Sequence, residues 1–148
     1  MRHCLSGKRT LAIALCAVVM VSGCGVEPSL IPADVRLART PLSDEPLTYG
    51  MAPLSGIVNV TRGCLSLEST DRGTVVLVYP HDYRLSAVDG KMSVLNANGD
   101  SVLIVGRNVE IGGALLDDEP AARTVSAEDR RICSGPFFLV LPQPARYL

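Results

Sequence analysis

Residues 74–79, Thr-Val-Val-Leu-Val-Tyr, are the stretch that decides the fold. The run is continuous and rich in β-branched side chains, which is typical of a strand buried on both faces. It follows a turn-forming sequence at residues 69–73 (STDRG), and Pro80 ends it because proline has no backbone N–H to donate. We therefore expect a sheet with this strand near its centre.

Short apolar or alternating runs, separated by turn residues, continue on both sides of this strand. The first two flank Arg62-Gly63, which predicts a hairpin with a two-residue loop. The runs lie at residues 57–61, 64–68, 91–95, 101–105, 108–111 and 137–141, and Gly112-Gly113 is expected to end the fifth of them. This pattern predicts an all-β domain: a small OB-like barrel or a sandwich of about six or seven short strands.

Two stretches near the C-terminus interrupt the strand pattern. Residues 115–120 (LLDDEP) predict a solvent-exposed loop. Ser126, followed three residues later by Asp129, resembles a helix capping box and predicts a short helical turn. Phe137 and Phe138 place one ring on each face of the last strand, one in the core and the other against the tether or in a contact patch.

The N-terminal segment has the parts of a signal peptide. Arg2, Lys8 and Arg9 precede an apolar run of eleven residues at 11–21. Eleven helical residues reach only about half of a roughly 30 Å hydrocarbon core, so the run is not expected to remain as a membrane span. A buried core helix is the alternative, but it would leave the basic flank unexplained.

The apolar run ends in Val21-Ser22-Gly23-Cys24, which resembles the lipobox of bacterial lipoprotein precursors at all four positions. The resemblance implies that Cys24 receives a diacylglyceryl group and becomes the first residue after cleavage. Cys16 is a poorer candidate because Leu15 precedes it where the motif has a small residue. Two or more acyl chains, such as palmitate, anchor a protein stably, so we expect a lipid anchor on the extracytoplasmic face of the cell membrane. Ordinary secretion with an incidental cysteine is the alternative.

The chain is accordingly divided into a signal peptide (1–23), a tether (24–54), a β domain (55–142) and a C-terminal tail (143–148). The tether assignment rests on Pro28, Pro32, Pro41, Pro46 and Pro53, whose spacing disfavours helix and central strand alike. In the alternative, part of this segment packs across the domain as an edge strand, with residues 47–49 and Met51 buried.

Cleavage leaves Cys64 and Cys133 as the cysteines without a lipid. Two such cysteines in an exported chain predict a disulfide, and closing a loop of about 70 residues stabilises a fold by about 4 kcal/mol in the chain-entropy model. Strand alternation points Leu65 and Leu67 inward and puts Cys64 in the outer phase, which places the disulfide at a rim or edge. A reactive thiol or a thiolate metal site is the alternative, but the chain has no C-x-x-C motif.

The residues that could carry chemistry are few. His81 is the one histidine left after cleavage, and it is expected to be an exposed loop residue rather than a base or metal ligand. Asp117, Asp118 and Glu119 are consecutive and are expected to be solvated, rather than a catalytic pair or a calcium site. No metal and no cofactor is predicted.

Charge argues against nucleic acid as a ligand. Removal of residues 1–23 takes away three of the 14 basic residues and none of the 15 acidic ones, which leaves a net charge of −4. Binding of single-stranded nucleic acid by a small barrel needs a basic groove with stacking aromatic rings, and aromatic residues make up only 4% of the chain.

The segment from Gly56 onward resembles small exported domains of actinobacteria that have no assigned activity. Gly63-Cys64-Leu65, the strand ending in Tyr79-Pro80 and the late Gly112-Gly113 carry this likeness, and residues 106–113 look like a strand of OB-like barrels. We therefore expect a non-enzymatic binding or assembly module of the cell envelope, with an envelope protein as its partner. The alternatives are an envelope enzyme or enzyme subunit with a site near His81 and Asp117 to Glu119, and a small-ligand or lipid carrier.

Overall fold

The computed structural model describes residues 32, 34–41, 50–141 and 145–148. Within these ranges the chain forms ten strands and two short helices. The strands are β1 (Ala38–Arg39), β2 (Ala52–Thr61), β3 (Cys64–Ser69), β4 (Gly73–Tyr79), β5 (Arg84–Val88), β6 (Lys91–Leu95), β7 (Ser101–Ile104), β8 (Asn108–Leu116), β9 (Phe137–Val140) and β10 (Arg146–Tyr147). The helices are α1 (Asp118–Thr124) and α2 (Ala127–Ile132). Because strands predominate and both helices are short, the predicted all-β class is confirmed. The expected signal peptide and Cys24 lie outside the described residues.

Five strands close into a barrel. β3 pairs with β2 and β4, and β8 pairs with β2. β9 pairs with β4 on one side and with β8 on the other, which completes the ring. The β4–β9 pair is parallel and the other four pairs of the ring are antiparallel. A closed ring of five strands is the architecture of OB-type barrels, so the barrel is the observed form of the predicted fold.

β4 is buried on both faces, as its sequence predicts. Val75, Leu77 and Tyr79 belong to the cluster that fills the barrel. Val76 and Val78 belong to a second cluster, which also contains residues of α1 and of the turn before α2. A strand with a filled barrel on one side and helices on the other has no polar face, which explains its continuous apolar run.

The connection from β4 to β8 forms a second sheet, in which β6 pairs antiparallel with β5 and β7. Val94 and Leu103 of this sheet join the barrel cluster, so the second sheet packs against the barrel core. The predicted hairpin between β2 and β3 is confirmed, because Thr61 and Cys64 are direct partners. Arg62 and Gly63 both have positive φ, 52° and 76°, as two-residue hairpin loops of the primed type require.

The prediction that Gly112-Gly113 ends a strand is wrong. β8 runs through both glycines to Leu116, because the two residues still pair with Pro53 and Ala52 of β2. A Cβ at Gly113 would overlap the carbonyl oxygen of Leu139 and the ring of Phe138. The glycine is thus needed for a close approach of β8 and β9 rather than for a turn.

Part of the predicted tether belongs to the fold. Ala38 and Arg39 form β1, which pairs in parallel with Val78 and Tyr79 of β4, and Ala38 is fully buried. Prolines block donors only at their own positions, and residues 33–40 contain none, so this short stretch can form a strand. The edge strand that was the alternative to a tether therefore exists, but it lies earlier in the chain than residues 47–49, which are outside the described residues. Met51, which the alternative buries, is 67% exposed.

Two more boundaries differ from the prediction. β2 begins at Ala52 within the predicted tether, where Pro53 pairs with Gly112 of β8, and its pairing with β3 begins at Ile57. The predicted C-terminal tail contains β10, which pairs with Val109 and Glu110 of β8. Both segments pair with β8, a tertiary contact that local composition does not encode.

The predicted loop at residues 115–120 is the end of β8 followed by α1. Asp117 is the N-cap residue of α1, and Asp118 and Glu119 lie in its first turn, where negative charge favours a helix. Pro120 is compatible because the first turn does not need its N–H. The predicted cap of α2 is present: the Ser126 hydroxyl accepts a hydrogen bond from the Asp129 N–H at 3.0 Å. Neither helix, nor any other in the described ranges, has the length and apolar character needed to cross a bilayer.

Candidate binding clefts beside the disulfide

The predicted disulfide between Cys64 and Cys133 is present, with Cα atoms 5.7 Å apart. It joins the first residue of β3 to the residue that caps the C-terminus of α2. Its predicted place at an exposed rim is wrong, since the two cysteines are 1% and 2% exposed. The strand alternation was predicted correctly, but the outer face of β3 at Cys64 is covered by the second cluster rather than by solvent.

Residues 133–136 form the connecting segment between α2 and β9, and it is fixed at both ends. Cys133 holds it to β3 through the disulfide, and the Cys133 N–H donates to the Asp129 carbonyl oxygen at 2.7 Å. At the other end the Val76 N–H of β4 donates to the Pro136 carbonyl oxygen at 2.8 Å. The segment therefore lies against the outer surface of the barrel as a fixed feature.

A first cleft, here called the polar cleft, lies on the β3 side of the connecting segment. It has a volume of about 230 Å³ and is lined by Thr61, Arg62, Cys64, Ser66, Thr74, Val76, Cys133 and Ser134. Four of these side chains carry hydroxyl groups, and the Ser66 hydroxyl donates to the Cys64 carbonyl oxygen at 3.1 Å. Arg62 is exposed and has no ion pair among the described residues. The size suits one polar or anionic group rather than a whole ligand.

A second cleft, here called the acidic cleft, lies where β8, α1 and β9 meet. It has a volume of about 540 Å³ and is lined by Leu115, Leu116, Asp117, Asp118, Ala121, Arg130, Gly135, Pro136 and Phe137. Residues 133 and 134 line the polar cleft, whereas residues 135 and 136 line the acidic cleft, so the two clefts adjoin at the connecting segment.

His81 and the three consecutive acids lie on different elements, His81 in the turn after β4 and the acids at the start of α1. His81 is exposed, as predicted, and its backbone carbonyl accepts a 3.5 Å hydrogen bond from Arg39. Asp117 and Asp118 line the acidic cleft, while Glu119 forms an ion pair with Arg123 on α1. No hydrogen bond or ion pair between described residues joins His81 to these acids. The described ranges contain no group of three His, Cys, Asp or Glu side chains placed to hold a metal ion.

The N-terminal segment is held next to α2. Arg36 forms ion pairs with Glu128 at 2.9 Å and Asp129 at 3.6 Å, and its backbone bridges to Cys64. The Arg39 N–H donates to the Asp129 carboxylate at 3.4 Å. These contacts place the part of the chain that follows the predicted anchor beside the disulfide.

The sequence predicted Cys64 and Cys133 as a disulfide and Asp117 and Asp118 as solvated acids, and it gave Arg62 and Leu115 no role in a cleft. Arg62 looked like a hairpin residue and nothing more, because its relation to residues 133–136 depends on barrel closure. Leu115 is 40% exposed, yet in the sequence it is one of several leucines near the end of a strand. The available signal was the pair Leu115-Leu116 directly before three acids.

Comparisons with protein-family models, with curated proteins and with solved structures give no match to this chain.

Proposed function

We propose that this chain is a lipid-anchored protein of the cell envelope whose β domain is a non-enzymatic binding or assembly module. The anchor rests on the lipobox resemblance at Cys24, and the binding role rests on the pair of clefts. A module of this kind holds a partner at the membrane surface, and its requirement is a fixed, accessible, chemically mixed surface.

The observation that carries the proposal is the connecting segment with a cleft on each side. A disulfide and backbone hydrogen bonds hold this segment, so the cleft walls are ordered before a ligand arrives, which reduces the entropy lost on binding. OB-type barrels bind ligands at the face of their second and third strands and the adjoining loops. In this barrel that face is formed by β3 and β4, which contribute Cys64, Ser66, Thr74 and Val76 to the polar cleft.

The anchor is tested by replacing the lipobox cysteine in cells that export the protein. We expect Cys24→Ala to move the chain from the membrane fraction to the soluble fraction or to block its processing, since position 24 then has no thiol for the acyl donor. Cys16→Ala is the matched control and keeps the wild-type distribution. Equal membrane retention of both variants contradicts the anchor.

The binding role is tested by site-specific photocrosslinking in the same cells. A photoreactive amino acid at Ser134, which is exposed on the connecting segment, is expected to give a discrete crosslinked product. The same group at Lys91, exposed at the β5–β6 hairpin, serves as the control and gives none. Absence of a product at Ser134, or the same product at both positions, contradicts the proposal.

A further inference from the structure

The acidic cleft has an apolar floor that the fold leaves partly uncovered. Leu116, Ala121 and Phe137 form this floor and are themselves buried, at 3%, 5% and 7% exposure. Leu115 stands beside them with 40% of its surface exposed. The volume of about 540 Å³ is within the range of ligand sites, so the cleft can receive a large side chain and the backbone next to it.

The rim of this cleft carries two carboxylates that have no partner among the described residues. The Asp117 side chain makes no capping hydrogen bond, and neither Asp117 nor Asp118 forms an ion pair with a described residue. Arg130 also lines the cleft, and its Nε–H donates to the Val125 carbonyl oxygen at 3.2 Å. The ionisable side chains of the lining therefore sum to a formal charge of −1, and the two rim carboxylates have no ion-pair donor among the described residues.

The neighbouring polar cleft has the opposite sign. Among the described residues, Arg62 is the only one with an ionisable side chain that lines it, and the remaining polar groups are hydroxyls and backbone. The described surface is therefore cationic in the polar cleft on one side of the connecting segment. In the acidic cleft on the other side it is anionic and has an apolar floor. Asp117 and Asp118 would repel a polyanionic glycan or phosphate polymer, and such a polymer would make no apolar contact with the floor of the acidic cleft.

We propose that the acidic cleft docks a segment of a partner polypeptide that presents a basic side chain next to an aliphatic one. The basic group pairs with Asp117 and Asp118, and the aliphatic group covers Leu115. Charge complementarity and the uncovered leucine select this occupant over a glycan and over a nucleic acid, whose phosphates the carboxylates would repel. This inference rests on the proposed function as a binding module and names the chemistry of its partner.

The probe is a library of random dodecapeptides displayed on phage and selected on the immobilised full chain in detergent. We expect the selected peptides to combine Lys or Arg with a neighbouring Leu, Ile or Val. Synthetic copies of these peptides are then titrated by fluorescence anisotropy against wild type and variants. Asp117→Asn/Asp118→Asn is expected to weaken binding by about threefold to tenfold, because exposed ion pairs contribute little each. Leu115→Ser is expected to weaken it by a similar factor.

A double variant outside the cleft is the matched control. Glu119→Gln/Asp71→Asn removes two acidic charges as well, but Glu119 pairs with Arg123 and Asp71 is exposed at the β3–β4 turn. It keeps wild-type affinity if the cleft carries the interaction. Thermal unfolding of every variant tests whether the fold is intact, which is expected because all the substituted positions are exposed.

Each other outcome overturns the inference. Selection of acidic or purely polar peptides, selection of none, or equal weakening by the control variant excludes a basic–aliphatic segment in this cleft. Self-association of the chain that Leu115→Ser abolishes makes a second copy the occupant instead. If Arg62→Ala weakens peptide binding and the substitutions in the acidic cleft do not, this inference is overturned. The proposed function still stands in that case, provided that Ser134 gives its crosslinked product in cells. Absence of the Ser134 product contradicts the proposed function itself.

Discussion

Gly113 lies so close to Leu139 and Phe138 of β9 that a side chain of even one carbon atom does not fit there. The neighbouring Gly112 differs: a Cβ there would make ordinary contact with Leu141 at 3.7 Å. The two glycines are adjacent in sequence and occupy the same strand, but only one of them lies against the backbone and ring of β9. A sequence shows the pair as equal, and only the closed barrel distinguishes them.

This difference predicts unequal effects of the same substitution. Gly113→Ala is expected to lower the free energy of unfolding by about 1–3 kcal/mol, because β9 must shift to admit the methyl group. Gly112→Ala is expected to change it by less than about 0.5 kcal/mol. Urea denaturation of both variants measures this, and equal midpoints would mean that β8 and β9 do not approach as described.

Tyr79 is the largest side chain that is fully buried among the described residues, and its ring centroid is 5.4 Å from that of Tyr83. Burial raises the pKa of Tyr79 far above its usual value, and the nearby Tyr83 raises it further. Burial also raises the pKa of Tyr83, with Asp82 as a second cause. The barrel core thus keeps both phenols neutral.

The raised pKa of Tyr79 predicts a loss of stability at alkaline pH. Unfolded tyrosine releases its proton near pH 10, whereas folded Tyr79 retains it, so the unfolded state binds fewer protons above about pH 10. The stabilisation is therefore complete below about pH 10 and falls as the pH rises further. Urea denaturation from about pH 9 to pH 11 should show this decline in the wild type and a shallower decline in Tyr79→Phe. Identical slopes would contradict the prediction.

At the scale of elements, the N-terminal strand is the main departure from sequence-based expectation. Prolines around residues 33–40 indicated a tether, but a two-residue strand with a buried alanine, preceded by the buried Leu37, suffices to dock the segment on β4. Such short elements carry almost no periodicity, so they depend on contacts that only the folded barrel offers.

Leu37 provides the test of that docking. It is 9% exposed and belongs to the barrel cluster, so Leu37→Ala is expected to cost about 2–4 kcal/mol of unfolding free energy. Leu148→Ala is the matched control, because Leu148 is 70% exposed and its expected change is below about 0.5 kcal/mol. Urea denaturation midpoints of the two variants measure this. If Leu37→Ala leaves the free energy of unfolding unchanged, residues 34–41 are a tether and do not pack on the barrel.

For β4 and for the hairpin at Arg62-Gly63, the sequence was sufficient because the signal is local. A continuous β-branched run and a two-residue loop each determine their own conformation. The acids at 117–119 were misread because loops and first helical turns share the same composition, and β10 was missed because a two-residue strand has no pattern. The clefts could not be predicted, since each draws on residues that barrel closure brings together.

At the scale of the whole molecule, the disulfide joins parts of the fold that are far apart in the sequence. It crosses 69 positions of sequence and ties β3 to the end of α2, next to both clefts and to Arg36 of the N-terminal segment. Its removal should therefore weaken the whole fold and not a single loop.

The double variant Cys64→Ala/Cys133→Ala is expected to lose about 2–5 kcal/mol of unfolding free energy. The expected loss is large because it restores conformational freedom to a long loop of the unfolded chain. Denaturation with and without dithiothreitol measures this. Reductant lowers the wild-type midpoint towards that of the variant and leaves the variant unchanged. A wild type insensitive to reductant after full reduction would contradict the role assigned to the disulfide.

Intact-mass spectrometry of the protein recovered from the membranes of exporting cells tests the account most directly. We predict one species whose chain begins at Cys24, carries the added mass of a diacylglyceryl group, and is two hydrogens lighter than the reduced form because Cys64 and Cys133 are joined. A chain that retains residues 1–23, or one that begins at Cys24 without a lipid and with both thiols free, would contradict a lipid-anchored, disulfide-closed envelope module.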